Sequence, residues 1–456
     1  MPSFPKRAIL PSEIKSREFD SKLLLACFLA ERGWTSIVGS RNDIHMRLHH
    51  FPRSIYLGKD VRFSSSTIVR MLRLLGHRFV AMDEEALIFL SRERYRKSRV
   101  DDDVLSRAEA LFAWGPENAL AWKEAASYKG QPIHLTGNGR IDLLRPETRT
   151  LYDLRCAELK ARYGDFILVN TNFGAVNHFM SSLTANVKEE DKEPALRGHD
   201  NGYLLHRQNV LRAFVEMLPA LARHFPQHKI ILRPHPSESH ESWRSVLRDC
   251  PNVEINNEGN VVPWILASQA LVHNGCTTGL EAYILGKLTI AYLPIASREF
   301  DLHVPNDLSF AAKTLPELFN MLEQAEKDRL RLSDLQNHQR HEVLANVISA
   351  SEGKLASEHI ADVFEQFVVE RDNASSHMVT WPVGAAYSVG RAALKRFNQS
   401  RPDHKSSIKY TRHRFPQTEL SEVEARIGDF ANCLGRFASV RAVQASSNVF
   451  QIGPAK

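Results

Sequence analysis

The stretch from Ala270 to Tyr292 constrains the fold more than any other part of the chain. Ala270 to His273 is an apolar run of strand length, and Asn274-Gly275 makes a tight turn. A helical pattern follows through Leu285, Gly286-Lys287 ends it, and Leu288 to Tyr292 is the next strand. Strand, turn, helix and strand in so short a span form a βαβ piece of a parallel sheet, because parallel strands need a crossover. Gly275 and Gly279 let the backbone approach a ligand. Thr277 and Thr278 stand where the first helical N–H groups lack partners, and that end of a helix attracts an anion. Glu281, about one turn further in, is placed to accept hydrogen bonds from sugar hydroxyls.

An upstream stretch points to the same chemistry. Lys229 to Leu232 reads as a strand, with Arg233-Pro234-His235-Pro236 at its carboxyl end. Ligands of open α/β sheets lie beyond the carboxyl ends of the strands. Arg233 and His235 are therefore expected at the same crevice as Thr277 and Thr278. A cation, an imidazole, two hydroxyls and a helix N-terminus suit a phosphate or diphosphate. The competing reading is ordinary packing, in which small residues let a helix approach its strand and two prolines merely shape a turn. The coincidence of Arg233 and His235 at one strand end favours the ligand.

The rest of the chain alternates in the same way. Ala8 to Pro11 is a strand, Ser12 to Asp20 a polar loop, Ser21 to Arg32 a helix ended by Gly33, and Thr35 to Gly39 a strand. Further strands are expected near residues 54–57, 78–82, 110–113 and 133–136, with helices between them. Gly137 to Asp142 is a turn-rich break, and residues 1–150 make one doubly wound domain. Residues 151–373 make a second, opening on the strand at Phe166 and the polar loop Thr171-Asn172-Phe173-Gly174. Asp334 to Val369 reads as helical. Met180 to Gly202 is charged and poorly patterned, an excursion from the packed core. Residues 374–456 form a basic, helical tail, with eight Lys or Arg between Arg391 and Arg414 against the single acid Asp403.

Composition excludes several classes. A formal charge of +6 on 456 residues is too small for a dedicated nucleic-acid binder. Five scattered cysteines without a CxxC pair argue for a reducing compartment and against structural zinc. No signal peptide is evident, and Leu23 to Ala30 is too short to span a bilayer. The expected location is the cytoplasm, with peripheral contact to anionic lipid at the inner face of the membrane through Arg391 to Arg414. Asp101-Asp102-Asp103 contains a D-x-D pattern, but its place before a helical run is explained by N-capping, so no metal is expected.

Four blocks carry a resemblance: Thr136 to Asp142, Ile167 to Asn172, Arg233 to Pro236, and Asn274 to Ala282. In that order they resemble glycosyltransferases of the GT-B fold. Leu10 to Glu18 and Met82 to Glu85 resemble, more narrowly, bacterial surface polysaccharide biosynthesis proteins. The resemblance implies two Rossmann-like domains facing across a cleft, the second holding a nucleotide-sugar donor and the first a glycan or lipid-linked acceptor. His235-Pro236 is similar to the pair that holds the donor phosphate in CMP-sugar transferases and in CDP-glycerol phosphotransferases, which favours a CMP-linked acidic sugar. Thr277 and Thr278 resemble the hydroxyl pair beside that phosphate, and Glu281 the ribose-binding acid. One departure is Gly139, where the family's break block has Pro.

The donor-binding set is therefore Thr171, Asn172, Arg233, His235, Asn274, Gly275, Thr277, Thr278 and Glu281. His235 also serves catalysis, by neutralising the leaving phosphate. A carboxylate of the first loop, Glu13 or Glu18 by preference or Asp20, would be the general base for the acceptor hydroxyl, or a nucleophile if configuration is retained. The alternative for these acids is a solvated charged loop. The expected activity is metal-independent glycosyl transfer. The alternatives are a polyol-phosphate transferase, a UDP-sugar 2-epimerase, or a non-catalytic assembly protein on the same fold.

Overall fold

The computed structural model describes residues 4–179, 201–369, 374–400 and 407–455. The chain divides into two compact units. The first comprises Met1–Leu87, Arg92–Leu151 and Asn346–Lys456, and the second Ile88–Ser91 and Tyr152–Ala345.

The first unit is built on β1 (Arg7–Ser12), β2 (Thr35–Ser40), β3 (Ile55–Gly58), β4 (Arg78–Ala81), β5 (Leu111–Phe112) and β6 (Ile133–His134). These pair in parallel in the order β2-β1-β3-β4-β5-β6. The order reverses beside β1, which makes a switch point between β1 and β3. The helix Asp20–Glu31 packs against this sheet. Its residues from Ser21 to Ala30 are all buried, which explains an apolar run without a polar face: a helix hydrophobic all round is a core helix. The expected polar loop before it is instead a wide helical turn, Lys15–Phe19, that runs directly into this helix.

The second unit is built on β7 (Phe166–Asn170), β8 (Lys229–Arg233), β9 (Val253–Ile255), β10 (Ala270–His273), β11 (Thr289–Tyr292) and β12 (Phe310–Ala312). All six pair in parallel, in the order β9-β8-β7-β10-β11-β12. The crossover direction reverses between β7 and β10, the crevice where such sheets take ligands. The stretch read as strand–turn–helix–strand is β10, the Thr277–Ile284 helix and β11. Residues 180–200 of the expected excursion lie outside the described residues, and Asn201 opens the long helix Asn201–His224.

The end of the chain departs from expectation. No boundary falls at 373, and residues 374–456 are not a separate tail, because everything from Asn346 on belongs to the first unit. The expected helix from Asp334 to Val369 breaks at Ala350 and Gly353, both at positive φ, into Asp334–Val347 and Ala356–Val369. Phe364 and Phe367 of the second piece join the core around Leu24 and Phe28. Asp142 of the turn-rich break supplies that helix with its cap, accepting from the Ala356 N–H at 2.7 Å and the Ser357 N–H at 2.8 Å. Beyond the Leu420–Leu434 helix, β13 (Val440–Ser446) and β14 (Val449–Pro454) form a hairpin, and β14 pairs antiparallel with β2.

Asp142→Ala should leave two helix N–H groups enclosed without an acceptor. A loss of about 2 kcal/mol is expected, read as a lower urea midpoint of the first unit. An unchanged midpoint would show that the chain's return does not depend on this cap.

Candidate functional site

The carboxyl ends of β7, β8 and β10 carry most of the expected donor residues. The β7 and β8 ends are joined by Glu238, which the sequence did not single out. Its buried carboxylate accepts from Thr171 Oγ1 at 2.9 and 3.0 Å, from the Phe173 N–H at 2.9 Å, from the His235 N–H at 2.9 Å and from Trp243 Nε1 at 3.0 Å. Burial raises its pKa, and those donors work against the rise. Thr171 is thus buried and spent on Glu238. Asn172 is half-buried, and its carbonyl accepts from Arg207.

His235 is exposed, with its position fixed from both sides. Its backbone N–H is held by Glu238, and its Nδ1 accepts from the Ser237 N–H at 3.2 Å and meets Ser237 Oγ at 2.7 Å. An Nδ1 that accepts a hydrogen bond leaves the proton of the neutral ring on Nε2. Gly174 allows this arrangement: a Cβ there would lie 2.1 Å from Ser237 Oγ.

Arg233 corrects the sequence expectation. Its guanidinium donates to the carbonyls of Asn256 (3.1 Å), Glu258 (3.0 Å) and Gly259 (3.1 Å), and it lies 4.9 Å over the Trp264 ring. It anchors the loop after β9 rather than offering charge to a phosphate. Burial lowers its pKa to about 10, so it stays charged at neutral pH.

The β10 end is different in kind. Asn274 is buried, and both its side-chain Oδ1 and Nδ2 are enclosed without a hydrogen-bond partner. On the adjacent strand Asn170 Oδ1 is in the same condition, and so is Asn306 Oδ1, whose side chain flanks Gly275. Buried amides are normally paired. Enclosed carboxamide atoms without partners thus gather beside the β7/β10 crevice, both of those of Asn274 and the oxygens of Asn170 and Asn306. Gly275 has φ +79°, a conformation that favours glycine, and its N–H is held by His273 Nδ1 at 2.9 Å. His273, pinned also by Ser309 at 2.8 Å, is kept neutral by burial, with its pKa near 3. Gly279 serves packing and not ligand approach, since a Cβ there would meet the His273 ring at 2.5 Å.

Thr277 and Thr278 are half-exposed at the first turn of the Thr277–Ile284 helix. Cys276 precedes it without a side-chain cap, and Thr278 Oγ1 shares a hydrogen bond with Cys276 Sγ at 2.6 Å. Glu281 is buried one turn in.

The first unit has its own cluster, at the carboxyl ends of β1 and β3. The Glu13 carboxylate is ion-paired with Lys59, with Arg414 and, at 3.4 Å, with Arg41. Arg41 and Lys59 also line a small recess with Tyr56, Asp60 and Ser65. The Glu13 N–H donates to Glu18 Oε2 at 2.6 Å. Glu18 is almost fully buried, and burial, with the Glu84 carboxylate adding to it, pushes its pKa up to about 7. Lys22 and Glu84 form a buried pair at 2.5 Å. Asn138 of the break block donates to Glu84 at 3.2 Å, and Arg140 donates to its carbonyl at 3.2 Å. Asp20 stands apart from this cluster and pairs with Arg426 at 3.4 Å. In the D-x-D run, Asp101 accepts from the Val104 N–H at 3.0 Å as a helix cap, and Asp103 pairs with Arg107 and Arg70.

No family model matches the sequence, and no curated protein matches it. Solved structures do match its shape. A Listeria monocytogenes protein provisionally assigned as a UDP-N-acetylglucosamine 2-epimerase superposes with a TM-score of 0.52 at 10% identity, covering 81% of this chain and 98% of that one. The S. aureus MnaA–UDP complex gives 0.49 at 12% identity, over 80% and 98%. A wall teichoic acid polymerase TagF structure gives 0.46 at 12% identity, over 80% and 89%. The chain has the GT-B fold, two Rossmann-like doubly wound units.

Two outcomes check the site. Glu238→Ala should cost about 3 kcal/mol by stranding buried donors, and it should shift the His235 ring resonances in NMR spectra; unmoved resonances would dissociate Glu238 from His235. Glu18 takes up a proton on folding between the ordinary carboxylate range and about pH 7. Its contribution to stability is then full at acid pH and lost as pH rises through about 7. Glu18→Gln should flatten that part of the urea-midpoint profile; an identical slope in both proteins would refute the raised pKa.

Proposed function

We propose that this protein is a metal-independent glycosyltransferase of bacterial surface polysaccharide biosynthesis, with its nucleotide-sugar donor at the β7/β10 switch point. The observation that carries the reading is the group of unpaired carboxamides, Asn274 foremost, beside the uncapped start of the Thr277–Ile284 helix. Their donors and acceptors suit hydroxyls and phosphate oxygens together, the surface of a sugar nucleotide. His235 presents a tautomer able to donate from Nε2, which suits a leaving phosphate whose charge grows as the glycosidic bond breaks.

The donor is a CMP-linked acidic sugar on the strength of the His235-Pro236 resemblance. The acceptor is a glycan or lipid-linked glycan, and its hydroxyl proton goes to a carboxylate of the first unit. Glu13 is the more accessible candidate. Glu18, with a proton affinity near neutrality, is the one whose chemistry suits a base that must also release its proton. Thr171 and Arg233 act here as positioning residues, through Glu238 and through the loop after β9.

The test is a thermal-shift screen with CMP, CDP, UDP, GDP and ADP on the full chain and on Asn274→Leu. CMP should give the largest stabilisation. Asn274→Leu, which removes unpaired buried polar atoms at nearly constant shape, should keep or raise the basal Tm and lose the nucleotide shift. A preference for UDP or GDP would overturn the acidic-sugar donor, and no shift with any nucleotide would overturn the whole reading. Glu13→Gln should keep the shift and lose turnover; full turnover would remove Glu13 from the mechanism. Conversion of a UDP-sugar without acceptor would identify an epimerase instead.

A further inference from the structure

Of the basic run from Arg391 to Arg414, expected from the sequence to meet lipid, the first two cations are turned inward. The helix Ala374–Gln399 is seated on the first unit by Ser388, whose Oγ meets His49 Nδ1 at 3.0 Å, and by Gln399, whose Nε2 lies 3.9 Å from Met46 Sδ. Arg391 and Lys395 fall between these two contacts on the same side of the helix. Both are half-buried, and Arg391 Nη1 is enclosed without a hydrogen-bond partner. Neither cation is ion-paired among the described residues.

They meet a third cation there. Arg41 stands just past the carboxyl end of β2, and its hydrogen bonds to Glu13 and to Ser65 Oγ are both long, at 3.4 Å. Arg391 and Lys395 both feel its charge. Burial, with Arg391 and Arg41 beside it, pulls the Lys395 pKa down to about 7, and burial with the same three cations keeps His45 neutral. His45 Nε2 is joined to the Tyr56 hydroxyl at 2.6 Å, and Tyr56, Arg41 and Lys59 line the recess at the carboxyl end of β3. The neighbouring acids have partners of their own. Glu13 is paired with Lys59 and Arg414, and Asp60 accepts from Ser65 Oγ at 2.6 Å and from the Arg62 N–H at 3.3 Å. Asp43 is the acid that acts on Lys395. Long cationic side chains ordinarily carry their charge out to water. Here the fold draws three of them together, and like charges so placed repel unless an anion joins them.

We propose that Arg41, Arg391 and Lys395 form a binding site for a phosphate monoester at the carboxyl ends of β2 and β3, and that this phosphate belongs to the acceptor. The two strands flank β1, so the site lies beside the β1/β3 switch point, where an open parallel sheet takes ligands. The charge selects phosphate. A tetrahedral dianion offers three oxygens to two guanidinium groups and an ammonium, whereas a carboxylate offers two oxygens and a single charge. Arg391 Nη1 supplies a donor that is enclosed and still free. Arg41 also pairs with Glu13, so an acceptor held by its phosphate brings a hydroxyl toward the proposed base. The phosphate site stands on the first unit alone; its assignment to the acceptor rests on the proposed glycosyl transfer.

The test is a thermal-shift titration of the full chain with sodium phosphate, with glucose 6-phosphate and with glucose, each against sodium chloride of equal ionic strength. Phosphate should raise the Tm beyond chloride, glucose 6-phosphate should do so at lower concentration, and glucose should have no effect. Arg391→Gln/Lys395→Gln removes two repelling cations, so its Tm without ligand should be equal or higher. The phosphate concentration needed for a given shift should rise at least about tenfold in that variant. Lys395→Gln alone, the milder change, should weaken phosphate in the same direction. The double variant should keep the nucleotide shift, and Asn274→Leu should keep the phosphate shift, which separates this site from the donor site. A phosphate shift no larger than that of chloride, or equal titrations by the wild type and both variants, would overturn the site. Inorganic phosphate acting as strongly as glucose 6-phosphate would mark a site for a free ion and overturn the acceptor. A phosphate shift in a protein that no nucleotide stabilises would support the site and overturn the glycosyltransferase reading, the acceptor with it.

Discussion

The second unit depends on one buried carboxylate. Glu238 draws the Thr171 hydroxyl, the Phe173 and His235 N–H groups and the Trp243 indole to a single point. Enclosing a carboxylate is costly unless donors compensate, and here the donors come from two different loops. Each loop is therefore fixed by the other: the turn after β7 cannot move without exposing acceptors, and the turn after β8 cannot move without stranding His235. The imidazole owes its place less to its two flanking prolines than to the acid three residues on. Arg233 obeys the same rule from the opposite sign. Its guanidinium is satisfied by three carbonyls and an aromatic face, so its hydrogen bonds are spent on stiffening the loop after β9.

Against that background of satisfied groups, the unpaired amides of Asn170, Asn274 and Asn306 stand out. An unpaired buried amide costs about 1–3 kcal/mol, and a sheet that spends an acid on four donors is not short of ways to pair polar atoms. Under the proposed glycosyltransferase reading, these groups are left unpaired in the free protein to meet the donor, a trade of stability for binding. The first unit shows the complementary condition. Glu13 is surrounded by Lys59, Arg41 and Arg414, and Glu84 by Lys22, Asn138 and Arg140. There the charges are compensated, while Glu18, whose burial beside Glu84 raises its proton affinity, holds a proton near neutral pH.

The sequence revealed most of the layout of strands and helices, because parallel strands buried on both faces read as short apolar runs bounded by turn residues. The residues at strand ends were legible too, since Asn274, Gly275, His235 and Thr277 all fall beyond carboxyl ends. What was hidden depended on partners distant in the chain. A pattern of alternation could place Arg233 at the end of β8 but could not say that the loop at 256–259 would consume its side chain. Glu238 looked like one more acid in a polar turn. The hairpin Val440–Pro454 has weak alternation of its own and is fixed by pairing with β2, some four hundred residues earlier. The tail read as separate because its composition changed, yet Asp142 and the core around Phe28 had already committed the chain to return.

That return explains a feature that composition alone would misread. The segments after Asn346 complete the first unit in turn: the Ala356–Val369 helix covers the core, and β14 covers the edge of β2, which would otherwise offer unpaired backbone groups. Each buries its apolar side inward, as Phe364 and Phe450 do. The Ala374–Gln399 helix lies between these two elements in the chain and does the reverse, pressing Gly384 and Ser388 inward and leaving Leu394 and Phe397 outside. A chain able to bury aromatic residues on both sides of this segment was under no packing constraint to expose them within it. The stripe of small and polar residues is what lets this helix come so close to the first unit, where Gly384 meets Leu74 and the Thr380 hydroxyl reaches the Leu74 carbonyl.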